Sequence, residues 1–274
     1  MSQSNNSEIR EDSLKEKTIS KKLYLIGLLV IFAMDYSQYV IGGFGPVLGM
    51  VIVYGVPILA TGLLWGSPII RRALTHTYTA LKFGLGFFGA FTILGTLAAT
   101  AIFYVIFAFD PTALNLLNRP NPVLQVSPEF AWVMVLVSLL VVGPSEEYLF
   151  RGFIYGGLLS LLKARHWFSL AVISSVLFAA AHLYYAFVYG IVSAVQFTDL
   201  FTFGIAMAAT YYVSGGNLLI PAVIHGAYDA TAFVGVATST GVGALLRGFM
   251  VLIGVVVAIA LFAQRTSKRS PLSP

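Results

Sequence analysis

The sequence has 274 residues, none of which is cysteine, and it is poor in charged residues. Without cysteine the chain forms no disulfide and offers no thiolate as a nucleophile or metal ligand. Charged residues make up 10% of the sequence, against about 25% in an average soluble domain. Hydrophobic residues make up 58%, and the mean hydropathy is +0.87. These values exclude a disordered chain, argue against a soluble enzyme, and indicate a polytopic membrane protein.

The chain nevertheless carries a net charge of +5, and its isoelectric point is near 9.4. A basic chain can bind nucleic acid, but this requires basic and aromatic residues along one stripe. The sequence shows no such stripe, and most of its Lys and Arg residues stand near the ends of apolar segments. This distribution is typical of the cytoplasmic edges of membrane proteins. We therefore expect a lipid bilayer, and no nucleic acid, as a partner.

Apolar segments of about the length of a transmembrane helix, ~20 residues, follow one another along the chain. The eight segments are 23–42, 46–66, 80–108, 130–163, 167–187, 197–213, 217–236 and 243–263. The fourth is long for a single span and contains Gly143-Pro144, where a break is expected. The sequence therefore predicts an all-α membrane protein with about eight transmembrane helices.

The polar ends and the basic residues predict the domain organisation and the orientation. Residues 1–22 and 265–274 are predicted to be cytoplasmic tails of a helical transmembrane domain at 23–264. Basic residues cluster before the first segment, between the second and third, between the fourth and fifth, and after the last. Because cytoplasmic loops are enriched in Lys and Arg, we expect a multi-pass protein of the cell membrane with both termini in the cytoplasm. The longest polar link, 109–129, falls on the outer side.

Ionisable side chains inside the apolar segments are the candidates for a functional site, because each is costly there unless it is paired or hydrated. They are Asp35, Glu146, Glu147, Arg151, His182, His225 and Asp229. Glu147 and Arg151 are four residues apart, so they share a helix face and can form an ion pair. Glu146 lies about 140° from Arg151 around the helix, so it is left over as a candidate general base or acid. The alternative is a charged helix end near the membrane interface.

Two further segments carry histidine. His182 shares a face with Phe178, and three alanines between them permit the close approach of another helix. His225 and Asp229 also share a face. The structural alternatives are an interhelical hydrogen bond donated by His182 and an internal hydrogen-bonded pair of His225 and Asp229. Taken together, the acids and histidines of three helices are the natural set for one buried polar site. Asp35 is assigned to packing or to a helix interface.

A zinc site is conceivable, because two histidines and a carboxylate form a catalytic ligand set. The sequence has no His-Glu-x-x-His motif, however, and no phosphate loop or dinucleotide fingerprint. We therefore expect neither a metal nor another cofactor.

Three motifs occur in a fixed order and spacing: Glu-Glu-x-x-x-Arg at 146, 147 and 151, Phe-x-x-x-His at 178 and 182, and His-x-x-x-Asp at 225 and 229. In this order they resemble the CAAX-protease and bacteriocin-processing family, which includes the type II CAAX prenyl endopeptidases. The stretch Gly-Asn-Leu-Leu-Ile-Pro at 216–221 resembles the same family. The resemblance covers a core of about 130–235.

The resemblance implies an all-helical intramembrane endopeptidase that uses neither a metal nor a covalent intermediate. It implies that Glu146 and His182 activate water and that His225 and Asp229 stabilise the oxyanion. It also implies that the Glu147–Arg151 pair and the Phe178 motif position support the site. Asparagine is common in the family at the position of Asp229, and an ionised aspartate cannot donate a hydrogen bond. We favour the interpretation that Asp229 accepts a hydrogen bond from His225 and orients it.

The expected substrate is a membrane-anchored or prenylated peptide that is cut near its C-terminus. Two alternatives stay open, namely a zinc-dependent membrane protease and a non-proteolytic membrane protein with a binding or immunity role. An inverted-repeat transporter is not favoured, because the sequence shows no internal repeat. The sequence does not indicate an oligomeric state.

Overall fold

The computed structural model describes residues 18–40, 46–117, 119–162 and 166–267. Within these residues all regular structure is helical, which confirms the predicted all-α class. The main helices are α1 (Lys21–Val40), α2 (46–72), α3 (Thr77–Phe109), α4 (Pro128–Leu162), α5 (Trp167–Ala181), α6 (Ser193–Val213), α7 (Leu219–Thr238) and α8 (Val242–Ser267). Each of the predicted apolar segments overlaps one of them. Most of the predicted terminal tails, 1–17 and 268–274, lies outside the described residues.

Six helices of the described chain are long and apolar enough to cross a membrane, namely α2, α3, α4, α6 with the short helix before it, α7 and α8. The apolar helix α5 has only 15 residues, and α1, with 20 residues, is not among the six. Large hydrophobic side chains cover the outside of the bundle; Leu63, Phe109 and Phe262 are 81%, 88% and 73% exposed. Such a surface would be unfavourable in water and suits contact with lipid. The chain is an integral membrane protein.

Helix α4 continues through Gly143-Pro144, where the sequence predicted a break. A proline lacks the N–H for the helical hydrogen bond and clashes with the carbonyl four residues earlier. The turn just before it, Ser138–Val142, is π-helical, and the Gly143 N–H donates to the carbonyl of Ser138 five residues earlier. A second π-helical stretch follows over Glu147–Tyr155. The wider turns accommodate the proline, and such stretches are frequent at functional sites.

Glycines bring α4 and α7 into backbone contact. A Cβ atom at Gly143 would lie 2.6 Å from the backbone nitrogen of Gly226, and one at Gly226 would lie 2.6 Å from the carbonyl oxygen of Ser138. No larger residue fits at either position without moving the helices apart. This close approach of the two backbones sets the acids of α4 against His225 of α7.

Helix α5 ends at Ala181, although the sequence predicted a span over 167–187. The imidazole Nδ1 of His182 lies 2.9 Å from the carbonyl oxygen of Phe178, while the His182 backbone N–H donates to Ala179 instead. The side chain thus takes the carbonyl that the next turn of an α-helix would use, and the helix stops. A short helix, Tyr184–Tyr189, follows before α6.

The polar link between α3 and α4 forms short helical turns at Pro111–Ala113, Leu114–Leu117 and Pro122–Leu124. The link packs on the segment that joins α5 to α6. Ala113 is buried against Tyr189 and Val192, and Arg119 donates to the carbonyl of Val188 at 2.8 Å. This contact lies at the end of the bundle opposite the link between α2 and α3.

Candidate active site

A cavity of about 770 Å³ lies inside the bundle, and all eight main helices contribute residues to its lining. All four residues predicted to be catalytic line it: Glu146, His182, His225 and Asp229. The structure therefore brings together the side chains of three separate motifs at one buried polar site, as expected from the sequence. Polar lining in an otherwise apolar cavity is typical of a binding or active site.

Glu147 is the central buried group beside this cavity. It is fully buried and lies 3.0 Å from Nη1 of Arg151, which forms the predicted ion pair within α4. The same carboxylate oxygen, Oε1, accepts a hydrogen bond from Nδ1 of His225 at 2.7 Å. Because a carboxylate only accepts hydrogen bonds, this contact fixes the His225 proton on Nδ1. The ion pair of α4 thus orients the histidine of α7.

The Nε2 side of His225 faces two other carboxylates. Oε2 of Glu146 lies 3.7 Å from Nε2, and Oδ2 of Asp229 lies 3.4 Å from it. The predicted contact between Asp229 and His225 is therefore present, but at Nε2. The orienting contact at Nδ1 comes from Glu147, which the sequence analysis paired only with Arg151.

Glu146 has a partner that no sequence motif indicated. The hydroxyl of Tyr54 in α2 donates to Oε1 of Glu146 at 2.8 Å. Tyr54 stands alone among apolar residues of a segment outside the three motifs, so neither its spacing nor its type marked it. It holds one oxygen of Glu146, while Oε2 lies toward His225.

His182 lies at the C-terminal end of α5. Because its Nδ1 is next to a carbonyl oxygen, which only accepts, Nδ1 carries the proton and Nε2 of the neutral ring is an acceptor. Its ring packs edge-on against Phe178, with centroids 4.9 Å apart. The end of the helix thus presents a basic nitrogen of defined tautomer at the cavity.

Phe178 packs between Arg151 and His225. Its ring is buried, lies 4.4 Å from the guanidinium carbon of Arg151, and packs edge-on against His225 at 5.8 Å. Arg151 also donates from Nη2 to the carbonyl of Gly204 in α6 at 3.4 Å. A cation–π contact and a carbonyl therefore help to hold a guanidinium that is 1% exposed.

Three further ionisable residues line the cavity: Asp35, Asp199 and Arg247. From the sequence, Asp35 is assigned to packing, whereas Asp199 and Arg247 are not among the candidate site residues. All three are charged residues within apolar segments, and this feature can be seen in the sequence. That they line the same cavity depends on how the helices pack. Within the described residues, no group of three or more His, Asp or Glu side chains is arranged to hold a metal ion.

Comparison with known families agrees with the motifs. Residues 128–231, from the start of α4 into α7, match the family described as type II CAAX prenyl endopeptidase Rce1-like. Neither a curated protein nor a solved structure is significantly similar to the chain. The matched segment contains every residue of the three motifs. It confirms the predicted resemblance to the CAAX-protease family over residues 128–231.

Proposed function

We propose that the protein is an intramembrane endopeptidase that hydrolyses a peptide bond near the C-terminus of a membrane-embedded substrate of the CAAX type. The observation that carries this proposal is the meeting of Glu146, His182 and His225 at one cavity. Peptide hydrolysis needs a base beside a water molecule and a hydrogen-bond donor beside the developing oxyanion. These side chains offer both.

In the proposed reaction Glu146 takes a proton from water, and the hydroxide attacks the carbonyl carbon of the scissile bond. The acceptor nitrogen Nε2 of His182 holds and orients the water. His225, protonated at both nitrogens, donates from Nε2 to the oxyanion. The intermediate then collapses, the C–N bond breaks, and the proton on Glu146 passes to the leaving nitrogen. The products are a carboxylate and an amine, and no covalent intermediate forms.

Glu147 and Arg151 act as positioning residues in this scheme. Glu147 fixes the His225 proton on Nδ1, so that Nε2 is directed to the cavity. Arg151 balances the charge of Glu147 in an interior where an isolated carboxylate would be costly. Their role is to keep the donor in place before the substrate binds.

Asp229 is expected to tolerate an amide but not a truncation. Its Oδ2 lies 3.4 Å from Nε2 of His225, and asparagine retains an oxygen at this place. We expect Asp229→Asn to keep activity within about tenfold of the wild type, and Asp229→Ala to lose about a hundredfold. The measurement is kcat/KM of both purified variants on one peptide. Equal, wild-type-like activity of both variants would remove Asp229 from the site.

The experiment that tests the proposal is cleavage of a fluorogenic farnesylated C-a-a-X peptide by the detergent-purified protein. We expect cleavage that persists in a chelator. Stoichiometric zinc and inhibition by the chelator would favour the zinc-dependent protease. Tight binding of the peptide without cleavage would favour the binding or immunity role. Either of these results would contradict the proposed mechanism.

We also propose an orientation in which the end of the bundle that carries Arg71 and Arg72 faces the cytoplasm. The cavity reaches the other end, because Asn121 and Val123 of the link between α3 and α4 line it. Helix α3 has 33 residues and separates that link from the basic end. The substrate would then reach the site from the outer half of the membrane.

The absence of cysteine allows a direct test of this orientation. Ala232 lines the cavity, whereas Leu74 lies beside Arg72 and is 67% exposed. In intact cells we expect a membrane-impermeant maleimide to label Ala232→Cys, and to label Leu74→Cys only after permeabilisation. The unmodified chain is the blank, since it has no thiol. Labelling of Leu74→Cys from outside would reverse the orientation.

A further inference from the structure

Arg247 is a charged side chain of the cavity that the proposed reaction does not use. It lies in the second turn of α8, outside the segment matched by the family, and it is half-buried. An arginine at such a position in an apolar helix is costly unless it faces polar groups or a ligand. Its side chain lines the same cavity as Glu146 and His225.

The guanidinium of Arg247 is held in place by neutral groups. Its Nε donates to Oγ1 of Thr231 at 3.0 Å, and its carbon lies 4.3 Å from the ring centroid of Tyr228. Among the described residues, no ion pair joins it to an acidic side chain within 4.0 Å. Asp199 lines the cavity as well but makes no such pair. The side chain of Tyr228 also hydrogen-bonds Arg247, and Asp199 lies near enough to interact with it by charge. A guanidinium has five N–H donors, so donors are left over for an anion.

A row of rings connects Arg247 to the proposed oxyanion donor. The ring centroids of His225 and Phe203 are 4.9 Å apart, and those of Phe203 and Tyr228 are 5.7 Å apart. The Arg247 guanidinium stacks on the last ring of this row. Three extended residues span ~10 Å. This is about the length of the row of rings from His225 to Tyr228. A peptide cut three residues from its end can therefore place its terminus at Arg247.

We propose that Arg247 binds the C-terminal carboxylate of the substrate, a step that rests on the proposed endopeptidase function. The planar guanidinium can bind a carboxylate through two parallel hydrogen bonds. Its stacking on Tyr228 leaves little conformational freedom to lose on binding. The site then selects peptides that end close to the scissile bond. The same fork could take the phosphate of a lipid headgroup, which the test separates from a peptide carboxylate.

The test compares two peptides that differ only at the C-terminus, one a free acid and the other an amide. For the wild type we expect kcat/KM on the acid to exceed that on the amide by about tenfold, mainly through KM. Arg247→Gln should remove this preference, and Arg247→Lys should keep part of it, because an ammonium retains charge without the fork. The matched control is Lys82→Gln, which also removes one positive charge but lies near the N-terminal end of α3. This variant should keep the full preference for the acid.

Equal losses on both peptides in Arg247→Gln would overturn the proposal and indicate a structural or lipid-bound arginine. So would a wild type without preference for the acid. Binding measurements in the Glu146→Gln background separate this proposal from the endopeptidase function. Tighter binding of the acid that disappears in Arg247→Gln would support the carboxylate site even if neither peptide is cut. Equal binding of the two peptides, or none, would overturn it.

Discussion

Replacing Glu146 by glutamine is expected to lower kcat/KM by ~10²–10⁴, the range for loss of a general base. Glutamine has nearly the same shape and can still accept the hydrogen bond from Tyr54, which is 2.8 Å long in the wild type. It cannot take a proton from water at neutral pH. The fold should therefore persist while hydrolysis stops. Cleavage kinetics and thermal unfolding of the same preparation measure the two effects separately.

Glu129→Gln is the matched control for this variant. Glu129 lies in the first turn of the same helix and is exposed. The change removes one carboxylate from α4 without touching the cavity, and activity should stay within about twofold of the wild type. If Glu146→Gln kept the activity of Glu129→Gln, Glu146 would not be the base.

Glu147→Gln is expected to destabilise the protein by about 3–5 kcal/mol, because it leaves the buried Arg151 without its counter-charge. Arg151 and Glu147 are 1% and 0% exposed, and their ion pair is 3.0 Å long. Thermal unfolding in detergent should show a midpoint lower by on the order of 10 °C. Activity should also fall, because Nδ1 of His225 loses its charged acceptor, and the amide can rotate to present its NH₂ group there instead.

A double variant separates the two roles of this pair. Glu147→Leu combined with Arg151→Met removes both charges and replaces them with apolar groups, the longer one in place of the arginine, which is often neutral for stability. We expect the midpoint to recover most of its loss while activity stays low. Recovery of activity together with stability would mean that Glu147 does not position His225.

Local spacing predicted the parts of the site that lie within one helix. The separation of Glu147 and Arg151 by four residues indicated their ion pair, and the separation of His225 and Asp229 indicated their contact. Both are present. The apolar runs predicted the helices for the same reason, since length and hydropathy are local properties. The order of the motifs further indicated the family that residues 128–231 match.

The spacing of residues along one helix does not predict contacts between helices. Tyr54 reaches Glu146 from a helix 92 positions earlier, and Glu147 reaches His225 across 78 positions. Whether two helices present these faces to each other depends on packing, here on the backbone contact at Gly226. The early end of α5 depends on a single side-chain hydrogen bond of His182. Hydropathy does not register such a bond.

The most direct test of the central claim is mass spectrometry of a lipidated peptide after incubation with the protein reconstituted in vesicles, with a chelator present. We expect two products from one hydrolysed bond near the C-terminus, formed by the wild type and missing with Glu146→Gln. Products that also appear with folded Glu146→Gln, or an intact peptide bound to folded wild-type protein, would contradict a glutamate-dependent endopeptidase.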